Sequence, residues 1–132
     1  GAQVSLDEAK KYSLERFAFG RQIGSFQALK HKMADMYVKI ELARSNAYYG
    51  AWALSTDSNE LPVAAAGARV SASDAYNYAS QENIQIHGGV GFTWEYDCHL
   101  FYRRSKLLSL NIGSIRQWKE NLISNLEKKN IV

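Results

Sequence analysis

The sequence has 132 residues, 46% of them hydrophobic and 22% charged, a balance that excludes a wholly disordered chain. Sixteen basic against 13 acidic residues leave a net charge of +3, which is weak and lacks the clustering that nucleic acid binding needs, so no nucleic acid partner is expected. One cysteine, Cys98, excludes an intrachain disulfide and an all-cysteine zinc site. Neither a membrane span nor an N-terminal signal segment is recognisable, which predicts a cytoplasmic protein.

The first half of the chain predicts two helices. Hydrophobic spacing of three or four residues indicates the first over about residues 6–17. Gly20 and Gly24 then interrupt the pattern, which indicates a bend, and Ser25 is a suitable N-cap for a long amphipathic helix ending near Ser55. The apolar stripe of this second helix consists of Phe26, Leu29, Met33, either Met36 or Tyr37, Ile40, Ala43, Ala47 and Ala51.

The second half predicts three more helices. A third helix over residues 61–86 has Pro62 in its first turn, and its many alanines, glycines and serines favour close packing. A glycine-rich run over residues 88–91 ends it, because glycine readily adopts left-handed backbone conformations. Helices over about 96–110 and 114–128 follow. The short connections predict an all-α fold, an up-and-down four-helix bundle with an extra short helix, in a single domain of residues 1–132.

Spacing alone identifies no catalytic site. The three histidines lack metal-ligand spacing, so no metal site is predicted, and Cys98 is interpreted as a small buried thiol because no catalytic partner is recognisable. The glycine run could bring backbone amides to a phosphate, but a helix end also explains it. The aromatic residues of the long helices are interpreted as core or interface residues rather than as a base-stacking platform.

Three segments in chain order carry a more specific signal. They are Glu15-Arg16-Phe17-Ala18-Phe19-Gly20 with Ile23 and Phe26-Gln27, then Gln85-Ile86-His87-Gly88-Gly89-Val90-Gly91-Phe92, then Arg103-Arg104-Ser105-Lys106 leading into Gly113-Ser114. Each segment is weak by itself, but together they resemble the C-terminal helical domain of the acyl-CoA dehydrogenase family. The resemblance covers essentially the whole chain.

Members of that family are flavoproteins, and the resemblance implies residues that contact FAD shared between subunits. Those residues are Arg16, Phe19, Gln27, Gln85, Gly88, Gly89 and Ser114. The first three belong to the Arg-x-x-Phe-Gly motif and its continuation, which in the family meet the FAD of a neighbouring subunit. The next three correspond to a segment against the adenosine diphosphate part of FAD, and Ser114 corresponds to a threonine that approaches the flavin. A guanidinium and closely approaching backbone suit a diphosphate chemically.

One departure from the family pattern affects the expected chemistry. Many members place the base that removes the substrate α-proton in a Tyr-Glu-Gly-Thr segment, whereas this sequence has Asn111-Ile112-Gly113-Ser114. Because Ile112 cannot accept a proton, no catalytic residue is assigned in this chain. The base is then on an upstream segment, on a partner subunit of a hetero-oligomer, or absent.

The family has two further domains, an N-terminal helical and a middle β domain, which this chain of 132 residues lacks. The resemblance therefore implies an isolated C-terminal domain with no dehydrogenase activity by itself. The intact parent is expected to be a homo- or hetero-oligomer that oxidises an acyl-CoA substrate with FAD and passes electrons to an electron-transfer flavoprotein-type acceptor. Two alternatives remain: a domain of a superfamily flavin monooxygenase or oxidase, and a non-catalytic oligomerisation bundle.

Overall fold

A computed structural model describes residues 1–130 and contains five α-helices within that range. The helices are α1 (Ala2–Glu15), α2 (Gln27–Ser55), α3 (Leu61–His87), α4 (Cys98–Leu110) and α5 (Ile115–Asn130). Short strands β1 (Phe17–Ala18) and β2 (Arg21–Gln22) form an antiparallel hairpin between α1 and α2, and 3₁₀ turns cover Ile23–Ser25 and Gly88–Phe92. The all-α bundle predicted from the sequence is confirmed.

Helix α3 is the centre of the bundle and contacts each of the other four helices. Its buried residues include four alanines and two serines, and Gly50 of α2 lies so close that an added Cβ would stand 3.4 Å from the Ala68 Cβ. Small residues on both helices permit this approach. The main apolar cluster joins α1, α2 and α3 and consists of Leu6, Ala9, Met36, Ile40, Ala79 and Ile86.

Two ion pairs on the bundle surface show that α2 and α3 run antiparallel. Lys32 Nζ lies 2.6 Å from Glu82 Oε2, and Lys39 Nζ lies 2.6 Å from Asp74 Oδ2. Hydrogen bonding to these carboxylates raises the pKa of both lysines. Because the pairs are partly exposed, they contribute modestly to stability and mainly mark the register.

Two local predictions are wrong, and the predicted bend takes a specific form. Helix α1 begins at Ala2 rather than near residue 6, and the bend after it is a hairpin. Ser25 is not the N-cap of α2: it ends a 3₁₀ turn, its hydroxyl donates to the Gln22 carbonyl at 2.6 Å, and Phe26 holds the cap position. Helix α2 therefore begins without the side-chain cap that the sequence suggested.

Within residues 1–130, no helix combines the length and apolar character needed to cross a membrane.

The glycine run that ends α3 supplies a prediction about stability. A Cβ at Gly91 would lie 2.8 Å from the Ile84 carbonyl oxygen and 3.1 Å from the His87 Cβ, whereas a Cβ at Gly89 would meet nothing within 4 Å. Gly91→Ala is therefore expected to lower the free energy of unfolding by about 1–3 kcal/mol, because backbone must move to admit the methyl group. Urea unfolding measures this difference. Gly89→Ala is the matched control, and equal midpoints for the two variants would contradict the prediction.

Candidate functional site

One end of the bundle brings together the C-terminus of α1, the hairpin, the N-terminus of α2 and the C-terminus of α3. The Tyr12 ring of α1 stacks on the His87 ring at 4.2 Å between centroids, and Ser13 Oγ lies 3.8 Å from Met33 Sδ of α2. The Lys32–Glu82 pair joins α2 to α3 near the same end. We call this end the hairpin-end surface and define it by six of the predicted residues: Arg16, Phe19, Gln27, Gln85, Gly88 and Gly89.

Arg16 lines one cavity in this surface together with Val90, a residue of the glycine turn (residues 88–91). Arg16 ends α1, where its backbone N–H donates to the Tyr12 carbonyl at 2.9 Å. The cavity of about 310 Å³ is lined by Tyr12, Glu15, Arg16, Val90, Glu95 and Tyr96. The Arg16 side chain is exposed, and no side-chain hydrogen bond or ion pair within residues 1–130 engages its guanidinium. The N–H groups of the guanidinium are therefore available to a ligand. The carboxylates of Glu15 and Glu95 in the same lining limit the excess of positive charge.

The glycine turn exposes backbone rather than side chains. Gly88 caps α3 with φ +64°, and neither Gly88 nor Gly89 would bring a Cβ within 4 Å of another atom. Gln85 is exposed on the last turn of α3. Buried His87 supports the turn, because its Nδ1 donates to the Asn83 carbonyl at 2.8 Å while its ring packs on Tyr12. The result is an open backbone segment that a phosphate group can approach closely.

Phe19 occupies the tip of the hairpin in a strained conformation. Phe19 and Gly20 form its two-residue turn with φ values of +54° and +79°, and the Phe19 side chain is 95% exposed. A left-handed conformation costs a non-glycine residue roughly 1–2 kcal/mol. The ring gains only an edge contact with Phe26, at 6.3 Å between centroids. Strain that burial does not offset is typical of ligand-binding positions.

The seventh predicted residue, Ser114, lies elsewhere. Ser114 Oγ accepts the Gln117 backbone N–H at 3.2 Å and so caps α5. The preceding turn is tied to Arg69 of α3, which lies sixteen positions, or roughly 24 Å along the helix axis, from Gln85. Ile112, at the position of the family glutamate, shares this turn and is 73% exposed. The structure thus brings six predicted residues to one end and leaves Ser114 beside Ile112.

Sequence reasoning missed the residues that hold the turn between α4 and α5. Arg69 Nη2 donates to the carbonyls of Leu108 and Asn111 at 2.7 and 2.6 Å, and Trp118 Nε1 donates to the Ile112 carbonyl at 2.8 Å. The available signal was an isolated arginine within a helix of alanine, glycine and serine. Because α3 is the central helix, an arginine on it is partly buried, and a buried charge is costly unless it finds hydrogen-bond partners.

A larger cavity lies at a different place. It measures about 620 Å³ and lies between α2, α3 and α5, lined by residues such as Tyr49, Asp74 and Lys119. None of the predicted site residues lines it.

Metal and thiol chemistry have no support in the described range. Residues 1–130 contain no group of three or more His, Cys, Asp or Glu side chains arranged to hold a metal ion. Cys98 is fully buried, as predicted, and burial together with the nearby Glu8 carboxylate raises the pKa of its thiol to about 11. Cys98 therefore remains a protonated packing residue at neutral pH.

This protonation predicts low reactivity. At pH 8 roughly one Cys98 thiol in a thousand is ionised when the pKa is about 11, and the folded chain also excludes the reagent. We expect an aromatic disulfide reagent to react at least about 100-fold more slowly with the native chain than with the urea-unfolded chain. Absorbance of the released thiolate measures both rates, and stoichiometric labelling of the native chain within minutes would contradict the prediction.

Comparison with known proteins decides the family. A profile described as "Acyl-CoA dehydrogenase, C-terminal domain" matches residues 1–118. The chain belongs to the acyl-CoA dehydrogenase family. Acyl-CoA dehydrogenase IpdE2 of Mycolicibacterium smegmatis is 46% identical over 118 residues, which cover 88% of this chain and 35% of the relative.

Two further proteins are similar to this chain over nearly its whole length. The caffeyl-CoA reductase–Etf complex subunit CarC of Acetobacterium woodii is 35% identical over 125 residues, covering 95% of this chain and 32% of that subunit. A crystal structure described as an FAD-dependent dehydrogenase superposes with a TM-score of 0.90 at 28% identity, covering 95% of this chain and 34% of the other. The chain therefore spans about a third of the length of the relatives it matches.

Proposed function

We propose that this chain acts as the C-terminal domain of an FAD-dependent enzyme that oxidises acyl-CoA thioesters between the α and β carbons. In this proposal the chain is one domain of a longer protein with an N-terminal helical and a middle β domain. Its span of about a third of the relatives supports that organisation. The family match supports the oxidoreductase class.

The observation that carries the proposal is the convergence of six motif residues on the hairpin-end surface. The exposed, unengaged Arg16 guanidinium lines a cavity together with Val90 of the glycine turn, where Gly88 and Gly89 leave the backbone open. This donor set fits a diphosphate, since arginine and closely approaching backbone amides are its usual partners. The amides of Gln27 and Gln85 are exposed at the same end and suit the polar edges of a nucleotide. FAD held here would belong to a neighbouring subunit.

FAD supplies the hydride acceptance, and the chain supplies binding and orientation. Arg16 balances diphosphate charge, Phe19 offers an exposed ring beside it, and Ser114 presents a hydroxyl at the other turn. Ile112 accepts no proton, so the base is upstream, on a partner subunit, or absent. We infer that the domain alone has no dehydrogenase activity.

Assembly with other subunits or domains is supported by α2. This helix exposes several large apolar side chains: Tyr37, Val38, Leu42, Tyr48, Trp52 and Leu54. Exposed apolar side chains in this number on one helix are typical of an interaction surface. A homo- or hetero-oligomer of family members would cover it. An electron-transfer flavoprotein-type acceptor agrees with the description of CarC as part of an Etf complex.

Visible spectroscopy tests the proposal. The full-length protein is expected to be purified with a flavin absorbance that bleaches on addition of an acyl-CoA, whereas the chain of residues 1–132 is expected to be colourless and unreactive. A full-length protein without flavin would contradict the proposal. A flavin-loaded, acyl-CoA-reducible 132-residue chain would contradict the inactivity of the isolated domain.

The isoleucine at position 112 favours one alternative, a flavin monooxygenase or oxidase of the same superfamily. Bleaching by a non-CoA substrate, with no response to acyl-CoA, would favour that enzyme. A non-catalytic bundle is the second alternative. Self-association of the protein in size-exclusion chromatography without any affinity for FAD would favour it.

A further inference from the structure

We infer that Arg69 is a positioning residue that fixes the turn between α4 and α5, and through it the positions of Ile112 and Ser114. We define this turn as residues 111–114. The inference rests on the proposed function, because that function places the turn beside a bound flavin. The main evidence is that side chains of α3 and α5 donate hydrogen bonds to backbone carbonyls on either side of a strained turn.

Arg69 holds the turn from the α3 side. Its Nη2 donates to the carbonyls of Leu108, Ser109 and Asn111 at 2.7, 3.3 and 2.6 Å. The first two belong to the last turn of α4, and Asn111 is the C-cap. Carbonyls at a helix C-terminus have no intrahelical partner and form the negative end of the helix dipole. The Arg69 guanidinium therefore supplies hydrogen bonds and positive charge to the C-terminal carbonyls of α4. It also links Asn111, the first residue of the turn, to the central helix α3.

Trp118 holds the turn from the α5 side. Its indole Nε1 donates to the Ile112 carbonyl at 2.8 Å, and Ser114 Oγ accepts the Gln117 N–H at 3.2 Å. Consecutive carbonyls, those of Asn111 and Ile112, are thus bound by two different helices. Rotation of the peptide between them would break one of these bonds.

The backbone between these bonds is strained. Ile112 has φ +56° and Gly113 has φ +99°. A β-branched residue is a rare occupant of the left-handed region, and the conformation is costly for any non-glycine residue. The Ile112 side chain is 73% exposed, so its own packing does not offset that cost. The strain persists because Arg69 and Trp118 over-determine the turn, which is the pattern found where a site requires a fixed geometry.

The consequence for function concerns orientation. A fixed turn presents the position-112 side chain and the start of α5 toward solvent before any cofactor binds. In the proposed enzyme, this preorganisation would keep Ser114 at a constant position relative to the flavin. Arg69 itself points into the bundle and contacts backbone, so it acts through the turn.

The experiment uses the full-length flavin-containing protein with Arg69→Met and Arg69→Lys. The matched control is Arg44→Met, which removes an exposed arginine of α2 that pairs with Glu41. Hydrogen exchange of the amides of residues 111–118 is expected to become roughly tenfold faster in Arg69→Met, to recover in part in Arg69→Lys, and to stay unchanged in the control. The flavin absorption band is expected to shift in Arg69→Met only.

Each outcome decides a separate point. Unchanged exchange in Arg69→Met overturns the role of Arg69 in holding the turn. Faster exchange with an unaltered flavin band overturns its role as a positioning residue, because a merely structural role would not require the flavin to respond. A full-length protein that binds no flavin contradicts the proposed function instead, and the exchange rates still show whether Arg69 fixes the turn.

Discussion

Replacing Met36 with alanine is expected to lower the free energy of unfolding by about 2–5 kcal/mol. Met36 has no exposed surface and lies in the cluster where α1, α2 and α3 meet, with Leu6 and Ile40 among its members. Truncation removes buried methylene and sulfur contacts and leaves a cavity that long, hydrogen-bonded helices cannot readily close. The expected loss is a large part of the total stability of a domain, which is about 5–15 kcal/mol.

Two variants make the Met36 prediction specific. Met36→Leu conserves volume and is expected to cost less than about 1.5 kcal/mol. Met33→Ala changes the same residue type one turn earlier on α2, where Met33 is only partly buried, and is expected to cost less than Met36→Ala. Urea unfolding followed by circular dichroism measures all three. A Met33→Ala midpoint as low as that of Met36→Ala would show that burial does not control the loss.

The predicted helices follow from periodicity that any core-facing helix must have. The stripe on α2 left Met36 and Tyr37 as alternatives, and the structure buries Met36 while leaving Tyr37 56% exposed. Sequence periodicity cannot separate neighbours when both are apolar, because each lies within the same broad face of the helix. The fully buried position is decided by how α1 and α3 pack against α2, which is information outside the helix.

The hairpin and both strained turns were beyond sequence reasoning for a different reason. Strands of two residues are too short to show alternation, and Phe19-Gly20 is not a typical hairpin turn pair. The turn at Ile112 depends on Arg69 of α3, some forty positions away in sequence. Local propensity carries no signal for such a bond. Motif resemblance nevertheless identified both Phe19 and Ile112, two of the three non-glycine residues with positive φ in residues 1–130.

The backbone conformations of Phe19 and Ile112 support the candidate site by an argument that does not use the motifs. Phe19 and Ile112 both combine a left-handed backbone with a largely exposed apolar side chain. The two properties oppose stability together, since the backbone is strained and the side chain gains little from burial. A selected function at each turn accounts for both, and the proposed flavin contacts would provide it.

Arg16→Ala in the full-length protein is expected to weaken FAD retention roughly 10- to 150-fold, the loss that follows when a charged hydrogen-bond partner worth about 1.5–3 kcal/mol is removed. The physical reason is that the Arg16 guanidinium is exposed at the cavity beside the glycine turn and is free of protein partners within residues 1–130. The variant removes little that the folded chain uses. Flavin loss is therefore expected without a matching loss of thermal stability in the apoprotein.

Arg16→Lys separates charge from geometry in the same measurement. Lysine keeps the positive charge but loses the planar fork that binds two phosphate oxygens at once, so intermediate retention is expected. Arg21→Ala is the matched control, because Arg21 lies in the same hairpin region but stacks on the Phe26 ring at 4.0 Å. Flavin content after dialysis, read from the ratio of visible to ultraviolet absorbance, distinguishes the variants. Equal flavin content in Arg16→Ala and the wild type would remove Arg16 from the proposed cofactor site, and with it the main support for a diphosphate at the hairpin-end surface.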